Sequence, residues 1–194
     1  MTLAQIAFGQ QTLLKQALLV LSGSLFIALA AQVSVPMYPV PMTLQTLAIL
    51  LVGLTYGARL GVLTVLAYLA EGAIGLPVFA NAGNGAAFFG PTAGFLVGFV
   101  VFVWMVGTAT DRGWTRSVGA TALICVAASM ILYVPGTAWP LAVAGAFGLE
   151  GGWVGLAGAK VWAGFVAPFL LGDVVKSVLA AFMLFGATKA LHKV

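Results

Sequence analysis

The sequence predicts an all-α, polytopic membrane protein built as a bundle of six transmembrane helices. Three observations carry that expectation. The chain of 194 residues is 62% hydrophobic, only 6% charged, and has a mean hydropathy of +1.15, whereas a soluble protein carries about 25% charged residues. Its few charges cluster, leaving residues 16–58, 72–110 and 117–149 without any. A helix needs roughly 20 apolar residues to cross the hydrocarbon core, so those stretches alone hold several crossings. Intrinsic disorder, nucleic-acid binding and a secreted disulfide scaffold are excluded. Cys125 is the single cysteine and falls within a span.

Helix breakers and charges divide the chain, read as one integral-membrane domain over 1–194, into its elements. Span 1 covers about 16–33 and ends at Pro36, Pro39 and Pro41. Its opening, Lys15 followed by apolar residues and Ala28-Leu29-Ala30, has the outline of a secretory leader. The apolar run continues to Val35 and the rest of the chain is itself membrane-embedded, so the segment is expected to stay as a span. Span 2 covers about 43–56 and span 3 about 60–74, separated by Gly57-Ala58-Arg59. The Gly/Asn-rich stretch 75–85 is a poor helix on propensity. Span 4 covers about 91–110, with Pro91 suited to a first turn. A polar turn at 111–116 leads to span 5, about 117–135. A Gly-rich connection over 136–160, holding Trp139, Glu150 and Trp153, leads to span 6, about 161–191. Gly53-x3-Gly57-x3-Gly61 and Gly94-x3-Gly98 would put glycines on helix faces where backbones approach closely.

Basic residues set the orientation. With the N-terminus inside, Lys15, Arg59, Arg112, Arg116, Lys189 and Lys193 fall at inner ends, and Lys160 alone falls outside. That bias predicts a multi-pass membrane protein with both termini cytoplasmic. The proline loop, the Asn/Gly loop and the Trp139–Trp153 loop would then lie outside.

The chemistry-bearing residues are few. Asp173 and Lys176 sit i, i+3 on span 6, so both leave one helix face. They lie about 18 Å into the span at 1.5 Å per residue, where a charge costs about 2.5–3.5 kcal/mol on insertion scales. Such residues face a cavity or a partner, and an acceptor beside a charged donor suits a neutral polar ligand carrying N–H and C=O groups. A self-contained ion pair inside the bundle is the plainer alternative. A second set gathers at the outer end. Thr43 is placed to cap span 2 with Gln45 inside its first turn, Asn81 and Asn84 stand among glycines, and Phe79, Phe88 and Phe89 could wall a pocket. Glu71 closes span 3. These signals converge on the outer ends of spans 2, 3 and 6.

The absences restrict function further. Gly172-Asp173-Val174-Val175-Lys176-Ser177 lacks the first glycine of a phosphate-binding loop and lies mid-span. His192 is a lone tail residue, and the carboxylates are too scattered for a metal centre or a nucleophile triad. The reading is a binding or transport unit rather than an enzyme, with no cofactor and no metal.

One ordered set of motifs has a known counterpart. The run from Pro39-Val40-Pro41-Met42-Thr43-Leu44-Gln45 through Thr46-Leu47-Ala48 opens it, and Gly53 to Gly61 follows. Next come Gly72-Ala73-Ile74-Gly75-Leu76-Pro77-Val78-Phe79 and Gly90-Pro91-Thr92-Ala93-Gly94-Phe95-Leu96-Val97-Gly98-Phe99. Leu171-Gly172-Asp173-Val174-Val175-Lys176 completes it. Together they resemble the BioY family, the biotin-specific substrate-binding components of energy-coupling-factor transporters, over about residues 15–190. The resemblance implies six helices with biotin held near the outer face under loops 1 and 3. It also implies a separate module of a transmembrane coupling protein and paired ATPases. On this likeness Asp173 and Lys176 match the family's carboxylate–lysine pair, while Asn81, Asn84, Gln45 and Thr43 match its polar positions. Asp173 would accept from ureido N–H groups, and Lys176 would donate to the ureido oxygen or to the valerate carboxylate. Family members often carry Ala-x3-Ala faces on span 1 for docking. Here Ser24-x3-Ala28 stands instead, and the next step along that face is Gln32. Alongside biotin uptake as such a component in the lipid bilayer, with a homo-oligomer left open as its assembly, stands a rival reading. In it the chain is a stand-alone ion-coupled secondary transporter of a small polar solute, with Asp173 as its proton or ion site. A structural scaffold that binds nothing is the third class.

Overall fold

A computed structural model describes Ala4 and residues 12–191; Lys193 and His192 lie outside the described residues. Among the described residues, five helices are long and apolar enough to cross a membrane. Helix α1, Leu13–Gln32, is capped by Thr12, whose side chain accepts from the Lys15 N–H. It leads into a two-stranded antiparallel ribbon, β1 (Ser34–Val35) and β2 (Met42–Thr43), with Ser34 opposite Thr43 and Val35 opposite Met42. Helix α2 is Gln45–Ala73. Two 3₁₀ turns follow, Ala80–Ala82 and Gly85–Phe89, and then α3, Ala93–Asp111. Helices α4, Val118–Ala146, and α5, Gly158–Ala190, complete the bundle.

Five helices and six expected spans are reconciled at Gly57. Its φ of 79° and ψ of −176° interrupt α2, a conformation open to glycine and closed to residues with a Cβ. In a straight helix Gln45 and Tyr68 would stand about 35 Å apart, yet Gln45 Nε2 donates to Tyr68 Oη at 2.6 Å. The arms 45–56 and 58–73 therefore run back along each other, as the turn expected at Gly57-Ala58-Arg59 requires. The reversal exposes a fresh helix N-terminus, and Asp111 at the end of α3 caps it by accepting from the Ala58 N–H at 2.9 Å. A carboxylate at a helix N-terminus is favourable both as a hydrogen-bond acceptor and as a charge.

The same reversal corrects one packing expectation. Gly53, Gly57 and Gly61 do not line a single helical face. Gly53 and Gly61 belong to opposing arms, and a Cβ on Gly61 would lie 3.7 Å from Gly53 Cα and 2.9 Å from Val103. The small residues still permit close approach, but between antiparallel arms and α3. On α3 itself, Gly94 and Gly98 both face α4, where a Cβ would meet Pro135.

Span 5 also departs from expectation. Pro135 does not end it: the helix continues through a π turn at Trp139–Val143 to Ala146. Pro135 and Pro140 each lack a backbone donor. Past them the Ala144 N–H reaches back five residues to the Trp139 carbonyl, which keeps the chain helical. Helix α5 has a similar π turn, Trp162–Val166, after its first α turn and just before Pro168. The connection expected over 136–160 is thus shorter than its glycine content suggested.

The core lies where α2 and α3 cross α1, α4 and α5, with Tyr68, Phe102, Val65 and Val103 fully buried. Helix α1 is tied to the second arm of α2 by Ser24 Oγ, which donates to Glu71 Oε1 at 2.7 Å. Its opposite face leaves Leu14, Leu18, Leu21, Leu25 and Leu29 exposed. In lipid such a face costs nothing, because acyl chains are as apolar as leucine.

Candidate functional site

The helix ends nearest the β1–β2 ribbon enclose a cavity of about 200 Å³. By the same measure one water needs about 10–15 Å³, so the space takes a small molecule rather than one solvent. The β1–β2 ribbon delivers Pro39, Val40, Pro41 and Thr43 to its rim, and the first turn of α2 supplies Gln45 and Thr46. Phe79, Ala80 and Asn81 of the first 3₁₀ segment close one side. Phe95, Leu96 and Phe99 of α3, Leu132 and Tyr133 of α4, and Phe169 of α5 form an apolar wall. Asp173 and Lys176 also line it and are its two charged side chains.

Those two charges are almost wholly removed from solvent, with Asp173 6% and Lys176 8% exposed. One helical turn brings Lys176 Nζ to 3.3 Å from Asp173 Oδ1. The pair is held from two further helices. Tyr133 Oη on α4 donates to Asp173 Oδ2 at 2.5 Å, and Lys176 Nζ donates to Thr46 Oγ1 on α2 at 3.0 Å. Taking both charges out of water is costly, and only pairing with hydrogen bonds offsets it. The pairing is incomplete in a useful way. An ammonium has three N–H donors and a carboxylate about four acceptor positions, so one donor and further acceptor positions are left over on residues that line the cavity. In this low-dielectric setting such bonds gain strength.

Behind the wall runs a polar relay. Thr43 Oγ1 donates to Gln45 Oε1 at 2.9 Å and accepts from the Gln45 N–H at 3.2 Å, while Gln45 Nε2 donates to Tyr68 Oη. Tyr68 in turn donates to the Val78 carbonyl at 3.1 Å. Phe79, only 2% exposed, stands edge-on to both Tyr68 and Phe88. The loop bearing Phe79 is thereby fastened to the helix bearing Gln45.

Six of the seven residues singled out from sequence, Asp173, Lys176, Asn81, Gln45, Thr43 and Phe79, line one cavity. Asn84 does not: its side chain turns back to accept from the Ala86 N–H and caps the second 3₁₀ turn, the turn-forming role asparagine commonly takes. Span 3 contributes Tyr68 behind the wall rather than a lining residue, and Glu71 faces Ser24 instead of the cavity. Of the phenylalanines, Phe89 is 66% exposed and takes no part. Tyr133 and Thr46 escaped sequence reasoning. Thr46 lies beside Gln45 within a quoted motif. Tyr133 carried one signal: a hydroxyl inside an apolar span needs a partner, and buried polar partners there are scarce.

Comparisons with known proteins bear on the family and the fold. The chain matches the BioY family over residues 4–193. It is 33% identical to a biotin transporter BioY of Rhizobium etli over 165 residues, covering 81% of this chain and 82% of that protein. It is 34% identical to a probable biotin transporter BioY of Pyrococcus horikoshii over 161 residues, covering 81% and 88%. Among solved structures, the S-component for biotin from an ECF-type ABC transporter shares the fold. The TM-score is 0.72 at 22% identity, covering 91% of this chain and 92% of that one.

Proposed function

The chain belongs to the BioY family, and from that premise we propose that it captures biotin at the outer face of the membrane as the substrate-binding component of an energy-coupling-factor transporter. The observation that carries the reading is the buried Asp173–Lys176 pair, which lines a largely apolar cavity and has bonding capacity to spare. Biotin offers what that pair lacks. Its cyclic urea presents N–H donors beside a carbonyl acceptor, and its thioether ring and aliphatic chain suit walls made of Phe95, Phe99, Leu132 and Phe169. Asp173 accepts from a ureido N–H, and Lys176 donates to the ureido oxygen. The 3.3 Å spacing of the two charges favours both contacts falling on one urea edge. The valerate carboxylate then points away from Asp173, toward the rim formed by Thr43, Gln45 and Asn81.

The whole chain acts as one binding unit without catalysis. Energy comes from partners in trans: a transmembrane coupling protein and ABC-type ATPases, consistent with a sequence that has no phosphate-binding loop. The membrane is the bacterial cytoplasmic membrane, with both termini inside, as the basic residues at the inner helix ends favour. The test is equilibrium binding of labelled biotin to the purified, detergent-solubilised chain with unlabelled biotin as competitor. Saturable, competable binding at nanomolar to low micromolar strength is expected. A folded sample that binds none would overturn the assignment and favour the ion-coupled reading of Asp173.

A further inference from the structure

Gln32, the last residue of α1, uses its whole amide on one loop and its own helix. Nε2 donates to the Ala28 carbonyl and to the Phe79 carbonyl, each at 3.1 Å. Oε1 accepts from the Ala82 N–H at 3.0 Å. Next to it, Ser34 Oγ donates to Asn81 Oδ1 at 3.0 Å. The loop so held is unusual. Asn81 and Ala82 both have φ of 57°, a left-handed conformation that asparagine tolerates but that costs a residue such as alanine about 1–2 kcal/mol. It persists only where surrounding contacts over-determine it. The same loop supplies Phe79 and Asn81 to the cavity.

We propose that Gln32 is a positioning residue that clasps residues 79–82 over the cavity and thereby slows the escape of bound ligand. The clasp spans the loop, since one amide holds the carbonyl at its start and the N–H at its end. Without it, Ala82 loses its N–H acceptor and the left-handed pair has less reason to persist. Phe79 stays anchored from the other side by Tyr68 packing, so the loosening concentrates at Asn81 and Ala82. The ligand consequence rests on the biotin reading above; the loop consequence does not.

Two measurements on the full-length chain test this. Amide hydrogen exchange of the ligand-free protein is expected to show Ala82 protected in the unaltered chain and exchanging at least about tenfold faster in Gln32→Ala. Amides of the core helices serve as the internal reference for folding. Gln32→Glu keeps the acceptor for the Ala82 N–H and loses the donor to Phe79, so it is expected to retain Ala82 protection. A residue with a merely general structural role would not separate the two variants in this way. Labelled biotin is then expected to leave Gln32→Ala about fivefold faster, with the association rate little changed. Equal Ala82 exchange in all three proteins would overturn the clasp. Faster exchange with an unchanged dissociation rate would overturn its role in retention. Absence of biotin binding by the unaltered chain would overturn the biotin reading alone, leaving exchange to decide the clasp.

Discussion

Replacing Lys176 by methionine removes the ammonium and keeps most of the side-chain volume. It leaves Asp173, 6% exposed, with the Tyr133 hydroxyl as its remaining hydrogen-bond partner. Removing one member of a buried ion pair costs about 3–5 kcal/mol, and the retained tyrosine bond favours the lower end. Ligand loses one charge-assisted hydrogen bond, about 1.5–3 kcal/mol, which is about a ten- to hundredfold weaker affinity. The double variant Asp173→Asn with Lys176→Met separates the two effects, because it removes the uncompensated charge. Thermal unfolding in detergent is expected to show the double variant more stable than Lys176→Met alone, the coupling expected of residues in contact. Biotin titration is expected to show both variants impaired. A double variant with full affinity would refute the assignment and leave the pair as an internal neutralisation device.

Three further outcomes follow from the geometry. Tyr133→Phe keeps the ring edge-on to Phe95 and loses the bond to Asp173, so biotin affinity should fall about threefold to tenfold and the unfolding temperature should fall, though less than in Lys176→Met. Gly57→Ala places a Cβ at φ 79° where α2 doubles back, and should lower stability by about 1–3 kcal/mol in a thermal unfolding assay. Gly72→Ala would drive its methyl into the Phe79 ring, displacing a cavity wall. It should weaken biotin binding more than the equally conservative Gly119→Ala, whose Cβ meets open space.

Much of this molecule is legible in one dimension. Burial in lipid demands continuous apolar helices with internally satisfied backbones, so hydropathy and charge alone pointed to membrane-spanning helices and to the break near Gly57. The membrane also made Asp173 and Lys176 conspicuous, since a charge in mid-span must have a reason. Local rules misled at proline and asparagine. Pro135 marks a helix end by propensity, yet a π turn carries the helix past it. Asn84 and Asn81 are alike in sequence, yet one caps a turn and the other reaches the cavity.

The sequence by itself determined that the chain is helical, membrane-embedded and equipped with one buried charge pair, because each follows from transfer free energies and short-range geometry. Tertiary structure alone decided which distant residues meet. Tyr133 reaches Asp173 from forty positions away, Thr46 reaches Lys176 from a different helix, and Gln32 grips the Ala82 N–H. Asp111, read along the chain as part of a polar turn, becomes the cap of a helix it does not precede. Such contacts depend on how helices pack side by side, and no spacing along the chain encodes that directly. The physical reason is that a buried polar group must find a partner somewhere, but only packing determines which one is within 3 Å.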